Sequence, residues 1–304
     1  MSPLGGIALK LVSVFLFTIM ASLIKATSDL VPPGEAVFFR SFFAMPVIVA
    51  WLALRGDLST GLRVKRPLGH VWRGVIGVSA MGFGFAALGM LPLPEVTALG
   101  YAAPLLTVIF AAILLGERLR VFRLTAVGLG MVGVAVVMWP RLSVDTLDQA
   151  AAMGVAFVLV SAVLRALAQI HIRRLVATEE TSAIVFYFSM TATLFSLLTL
   201  PFGWAWPGWT AAGMLVAAGF LGGVAQIFLT TAYRFAEAAV LAPFDYASIL
   251  FAILFGYFFF DEVPTATVLI GSAIVMAAGI IIVWRERQLG LKRGQARPSM
   301  TPNG

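Results

Sequence analysis

The sequence has no cysteine, which removes disulfides, thiolate nucleophiles and zinc–thiolate sites at once. Histidine is nearly absent. The two present, His70 and His171, fall near predicted helix ends, so no metal site is expected. Charge is scarce as well: 12% of the 304 residues are Asp, Glu, Lys or Arg, against about 25% in a soluble domain. A chain with so few charges cannot present a polar shell to water on all sides. No GxSxG, HExxH or glycine-rich phosphate loop is found, which argues against the hydrolases and nucleotide-driven machines built on those motifs. What fills the sequence instead is apolar: 61% hydrophobic residues and a mean hydropathy of +0.99. That composition belongs to an integral membrane protein.

A spanning helix needs about 20 mostly apolar residues. Such runs lie near 6–26, 35–55, 69–91, 94–115, 120–139, 149–171, 181–202, 208–233, 237–260 and 264–285. The first is too long for a signal-peptide core and reads as an uncleaved helix. Short connections rich in proline and glycine separate the runs, as in "DLVPPG", "LPLP" and "DEVP". The expected fold is therefore an all-α polytopic membrane protein of ten transmembrane helices.

Lys and Arg set the orientation. Arg55, Arg63, Lys65, Arg66, Arg73, Arg118, Arg120, Arg123, Arg173, Arg174, Arg234 and the cations from Arg285 onward all fall on one side of this ten-span path. The other side holds only Lys25 and Arg141. Both termini are thus expected in the cytoplasm of a cell bounded by this membrane. The net charge of +7 reports topology here rather than affinity for nucleic acid. The tryptophans gather at span ends, as in an interfacial aromatic belt.

One segment occurs twice. "YAAPLLTVIFAAILLGERLRVFRLTAVGLGMVGVAVVMW" starts at Tyr101 and "YASILFAILFGYFFFDEVPTATVLIGSAIVMAAGIIIVW" at Tyr246, at a constant offset of 145 positions. The offset pairs Tyr101 with Tyr246, Phe110 with Phe255, Glu117 with Glu262 and Trp139 with Trp284. Five spans per copy is an odd number, so the second copy must enter the membrane upside down. Its hairpin loop then lies outside, where positive residues are disfavoured, and the arginines after Glu117 have no counterpart after Glu262. The expected units are residues 1–145, a first five-helix repeat; 146–287, a second and inverted one; and 288–304, a disordered basic cytoplasmic tail. Inverted repeats can exchange conformations so that a midplane site opens to one face and then the other.

These features carry a family resemblance. The "P…GERL" end of the fourth span (Pro104 to Leu119), its weaker echo at Asp261-Glu262, Arg40 early in the second span and the duplicated architecture resemble the drug/metabolite transporter superfamily. Within it the chain is similar to the EamA group of ten-helix bacterial exporters, and most to the YddG-type exporters of aromatic and other neutral amino acids. The second half departs from the first at Ile249, in the proline position, and at Asp261, in the glycine position. The resemblance implies export of a small metabolite across the inner membrane, with no cofactor, and a monomer is expected.

Ionisable groups inside a span cost about 2.5–3.5 kcal/mol or more, so each needs a reason. Asp245 lies roughly 12 Å into the ninth span, too deep for so short a side chain to reach the surface. It follows Pro243, which can open a helix toward a cavity. Asp245 is a candidate for pairing with a substrate amine or for titrating as a proton site, and Glu95 is a second coupling candidate. Arg40, roughly 8 Å deep, either meets a substrate carboxylate or Glu95, or anchors its helix at the interface. Lys10 and Arg165 read as anchors. Tyr101 and Tyr246 should flank the midplane from opposite faces, each offering an apolar ring and a hydroxyl, though ordinary packing would use them equally well. Phe83, Phe85, Phe244 and Gln226 are candidate neighbours. Glu117 and Glu262 read as structural caps, and the GxxxG pair Gly219 and Gly223 as helix packing. The partners this reading implies are a small molecule and the lipid bilayer. A membrane-embedded enzyme and a passive pore are the competing functions, and the energy source, proton antiport or facilitated diffusion, stays open.

Overall fold

The computed structural model describes residues 3–115, 121–142, 149–175, 178–204, 206–235 and 241–295. Among the described residues all regular structure is helical. The first half contains α1 (Pro3–Ala26), α2 (Pro33–Phe42), α3 (Ala44–Leu54), the short α4 (Leu58–Gly61), α5 (Pro67–Leu88), α6 (Leu93–Gly100), α7 (Ala102–Leu115) and α8 (Val121–Leu142). The second contains α9 (Gln149–Leu175), α10 (Thr181–Leu197), α11 (Trp209–Phe235), a 3₁₀ segment (Ala242–Tyr246), α12 (Ala247–Phe260) and α13 (Ala266–Gln295).

Among the described residues six stretches are long and apolar enough to cross a bilayer: Leu4–Ala26, Pro33–Leu54, Pro67–Leu88, Leu93–Leu114, Gln149–Ile172 and Trp209–Leu229. Shorter apolar helices cover Leu124–Pro140, Ser182–Leu197, Phe244–Phe260 and Ala266–Ile282. Large apolar side chains such as Leu124, Leu250, Phe258, Phe259 and Leu269 point outward and exposed. In water that surface would be a liability; in hydrocarbon it is simply solvated. This is a multi-pass membrane protein. Trp72, Trp139, Trp206, Trp209 and Trp284 are exposed too, as belt residues should be.

Proline explains where helices start and break. Pro33 opens α2, Pro67 opens α5 and Pro94 lies in the first turn of α6, where the missing N–H would have had no partner. The stretch Pro33–Leu54 is interrupted at Phe43, and Pro46 cannot donate to the carbonyl of Phe42. The stretch Leu93–Leu114 is interrupted at Tyr101, and Pro104 cannot donate to the carbonyl of Gly100. Pro243 lies inside the 3₁₀ segment that leads into α12. Asp261 ends α12 in the left-handed region at φ 53°, which a short polar side chain tolerates, and the Glu262 amide donates to the Gly256 carbonyl at 2.9 Å.

α1 packs along α11, α5 along α9, and α8 along α13. Two buried serines stitch the first pairs. Ser13 Oγ donates to the Ala225 carbonyl at 2.8 Å, and Ser161 Oγ donates to the Ala80 carbonyl at 2.7 Å. Gly219 and Gly223 face α2 and α3, where a β-carbon at Gly219 would lie 2.5 Å from Phe43 Cβ. The GxxxG pair is therefore spent on packing within the bundle. Helical backbone continues to Gln295, past the tail boundary at 288 expected from composition. Glu117, with the arginines that follow it at 118 and 120, lies outside the described residues.

Candidate functional site

A cavity of about 760 Å³ opens between α1, α2, α5, α6, α7, α9, α10, α11, the 3₁₀ segment, α12 and α13, so both halves of the chain build its wall. Phe17, Phe85, Val108 and Phe188 make it largely apolar, and Thr18, Thr97, Ser161 and Gln169 supply neutral polar groups. Its charged wall residues are Arg40, Arg73, Arg165 and Asp245. The size suits one small organic molecule.

The two helix breaks meet here. Tyr101, at the interruption of α6 and α7, places its ring 4.9 Å from that of Tyr246, at the end of the 3₁₀ segment, with the planes tilted by 52°. The Tyr101 hydroxyl donates to the Asp245 carbonyl at 2.9 Å and also contacts Ser248 Oγ, which itself donates to the same carbonyl at 2.9 Å. Two hydroxyl protons serve three contacts, so at most two are hydrogen bonds at one time. The Tyr246 hydroxyl lies against Gly279 of α13, where a β-carbon would fall 1.5 Å from the oxygen. Only glycine leaves room for that ring.

The charges are arranged unequally. Lys10 Nζ lies 2.6 Å from Asp245 Oδ1, and the lysine side chain is 2% exposed while the aspartate's is 47% exposed. Lys10 is thus no interfacial anchor: α1 carries it inside the bundle, where a carboxylate from the other half meets it. Arg40 and Arg73 share one aromatic ring, with Cζ at 5.8 Å and 4.3 Å from the Phe188 centroid. Arg40 Nε, Arg73 Nε and Arg73 Nη1 are buried without a hydrogen-bond partner. Arg165 is exposed to the cavity rather than turned to the membrane surface, and one guanidinium nitrogen reaches the Gly100 carbonyl at 3.5 Å. That is the carbonyl left without a helical donor by Pro104.

Of the residues singled out from sequence, Arg40, Phe85, Tyr101, Asp245 and Tyr246 line the cavity. Phe83, Phe244, Gln226 and Glu95 are not among its lining residues. Phe83 packs instead on Phe157 at 5.4 Å, and Glu95 is buried in the first turn of α6, where a carboxylate favours the helix start. Arg73, Ser248 and Gln169 were missed. In the sequence Arg73 serves only to mark orientation, yet it stands more than a turn inside α5.

Two polar clusters lie away from the cavity. Lys25 pairs with Glu262 at 2.9 Å and donates to the Leu88 and Leu91 carbonyls, while Glu262 accepts the Leu93 amide at 2.8 Å. Glu262 therefore caps a helix start, as expected, but that of α6 rather than its own. Glu179, between α9 and α10, accepts the amides of Lys65 and Arg66 and lies 3.4 Å from His70 Nε2. Burial alone would raise its carboxyl, but the two amides and His70 outweigh it and hold the group below the ordinary range. His171 Nε2 contacts the Gly69 carbonyl at 3.0 Å.

Three kinds of relative were found. A curated pseudopaline exporter of Pseudomonas aeruginosa is 31% identical over 287 residues, covering 91% of this chain and 95% of that protein. An S-adenosylmethionine uptake transporter of Rickettsia prowazekii is 25% identical, with 94% of each chain covered. A riboflavin transporter of Rhizobium johnstonii is 28% identical over 84% of this chain and 82% of that one. A crystal structure of a protein 22% identical superposes with a TM-score of 0.66 over 93% of this chain and 98% of that one, which speaks for the fold alone. The model of the EamA-like transporter family matches twice, over residues 4–139 and again over 152–284. With nearly the whole chain taken up by those two matches, the protein belongs to the EamA-like transporter family.

Proposed function

We propose that this transporter exports small metabolites from the cytoplasm across the inner membrane, amino acids with aromatic or neutral side chains first among them, by alternating access. Ten spans arranged as two inverted five-helix repeats, with both termini cytoplasmic, provide the moving halves, and a monomer suffices because one chain encloses the cavity. The observation that carries the reading is the pair of buried serine bonds. Ser13 and Ser161 each lie nine residues past the start of a family match, and Ala80 and Ala225 are separated by the repeat offset of 145. Each serine therefore reaches the other half in the same way. Exchange of the two halves also carries the α1–α11 packing onto α9–α5 and returns the α8–α13 packing to itself. A cavity between such halves can open to one side and then to the other.

Within the cavity Arg40 is the candidate for a substrate carboxylate, and the tilted Tyr101–Tyr246 pair offers an aromatic platform beside it. Asp245 could take a substrate amine only by releasing Lys10, and the same exchange would couple transport to protonation of the carboxylate. Glu95 remains a second proton site in this scheme. The relatives named for pseudopaline, S-adenosylmethionine and riboflavin support small-metabolite transport as the activity.

The test is counterflow in proteoliposomes with a panel of radiolabelled amino acids, with and without a pH gradient. A carrier shows stimulation by unlabelled substrate on the far side; a pore does not. Because the chain has no cysteine, single cysteines introduced at Arg63 and Asp261 report topology directly. Labelling of both from the same side would rule out the inverted arrangement.

A further inference from the structure

We infer that the cavity selects molecules bearing two carboxylates on an apolar body, one held by Arg40 and Arg73 and the other by Arg165. The inference rests on the reading of the chain as a small-metabolite transporter and puts dicarboxylates ahead of neutral amino acids as its substrates. Asp245 is the only acidic side chain in the described wall, and Lys10 already neutralises it. Three guanidinium groups therefore face the cavity without an opposing carboxylate of that wall.

Their geometry separates them into two places. Arg40, from α2, and Arg73, from α5, both lie against the ring of Phe188 of α10, and their like charges repel each other. Three of their nitrogens are buried and unbonded, and Arg40 as a whole is only 7% exposed. Buried donors without acceptors are costly, and like charges at close quarters more so. An incoming carboxylate relieves both penalties, because its two oxygens match the guanidinium fork. Arg165 comes from α9 and stands at the wall that carries Gly100 and Tyr101. Its long contact with the Gly100 carbonyl engages one of five N–H donors, so the rest of the fork is available to a second anion. The rest of the lining is largely apolar, with Phe17, Phe85 and Val108 among its residues. A neutral amino acid has one carboxylate and would satisfy only one of these stations.

The experiment uses two probes with the same body, N-benzylglycine with one carboxylate and N-benzyliminodiacetate with two. Their binding to the purified full chain is measured by displacement of the radiolabelled dicarboxylate. The dicarboxylate should bind about tenfold more tightly or better, a typical value for one added charge-assisted contact. Arg73→Gln and Arg165→Gln should each bring the two probes within about twofold, whereas Arg73→Lys should keep part of the preference. If Arg73→Gln does not yield monodisperse protein, Arg165→Gln carries the test alone. Equal binding of the probes by the unaltered chain, or a preference that survives in the Gln variants, overturns the inference. Counterflow of neutral amino acids with no preference for the second carboxylate would also overturn it and leave the transport reading intact. A binding preference with no counterflow of any compound would remove the transport reading and uphold the binding site.

Discussion

At the Lys10–Asp245 pair the unequal burial of the partners makes a quantitative forecast. The lysine side chain is 2% exposed and the aspartate's 47%. Asp245→Asn replaces the carboxylate facing a buried ammonium with a neutral amide, and removal of one partner of a buried pair costs about 3–5 kcal/mol. Lys10→Met puts an unbranched apolar chain in an apolar place and leaves a carboxylate that the cavity already hydrates, for about 1 kcal/mol or less. The double variant Lys10→Met with Asp245→Asn carries neither charge of the pair, so it should recover most of the loss. The assay is thermal unfolding of purified protein in detergent at one fixed scan rate, since unfolding of such proteins is commonly irreversible. At roughly 2–4 °C per kcal/mol, Asp245→Asn should lower the midpoint by roughly 6 °C or more and Lys10→Met by roughly 4 °C or less. The double variant should lie near Lys10→Met. If Lys10→Met proves the more damaging, or the double variant is no better than Asp245→Asn, burial does not govern this pair and the reasoning fails.

Gly279→Ala places a methyl group on the Tyr246 hydroxyl, so it should cost about 1–3 kcal/mol in stability, lower transport, and be partly rescued by Tyr246→Leu, all read by melting and counterflow. Ser13→Ala and Ser161→Ala should each cost about 0.5–1.5 kcal/mol and by similar amounts, because they break the two related serine–carbonyl bonds; a loss at one site only would contradict the symmetry. Glu179 titrates below its ordinary value of 4.5, so its stabilising contribution is complete above that pH and is lost as pH falls through the lower folded value. The stability gap between the unaltered chain and Glu179→Gln should therefore close in acid below about 4.5.

How much of the site could be read in advance varies residue by residue. Asp245 was legible because depth in a span and an adjacent proline are both properties of the local sequence. Tyr101 and Tyr246 were legible through the repeat, which relates them without reference to packing. Phe83 and Phe85 were not separable. Two positions along a helix differ by about 200° of rotation, so one of any such pair faces the cavity and the other a neighbour. Here Phe85 lines the cavity and Phe83 meets Phe157. Arg73 and Lys10 were misplaced for a related reason. Their distance from a span end fits an anchor, and only the position of Phe188 in one case and Asp245 in the other draws them inward.

Local rules thus determined what this chain is made of. Apolar runs demanded helices in a bilayer, prolines marked where those helices would start and break, and the repeated segment announced two related halves. Tertiary structure decided which side chains meet. The Lys10–Asp245 pair, the shared Phe188 ring and the Arg165 contact with Gly100 each join helices far apart in sequence. Such meetings depend on how each helix is rotated and on what its neighbours leave open, and no one-dimensional pattern records either.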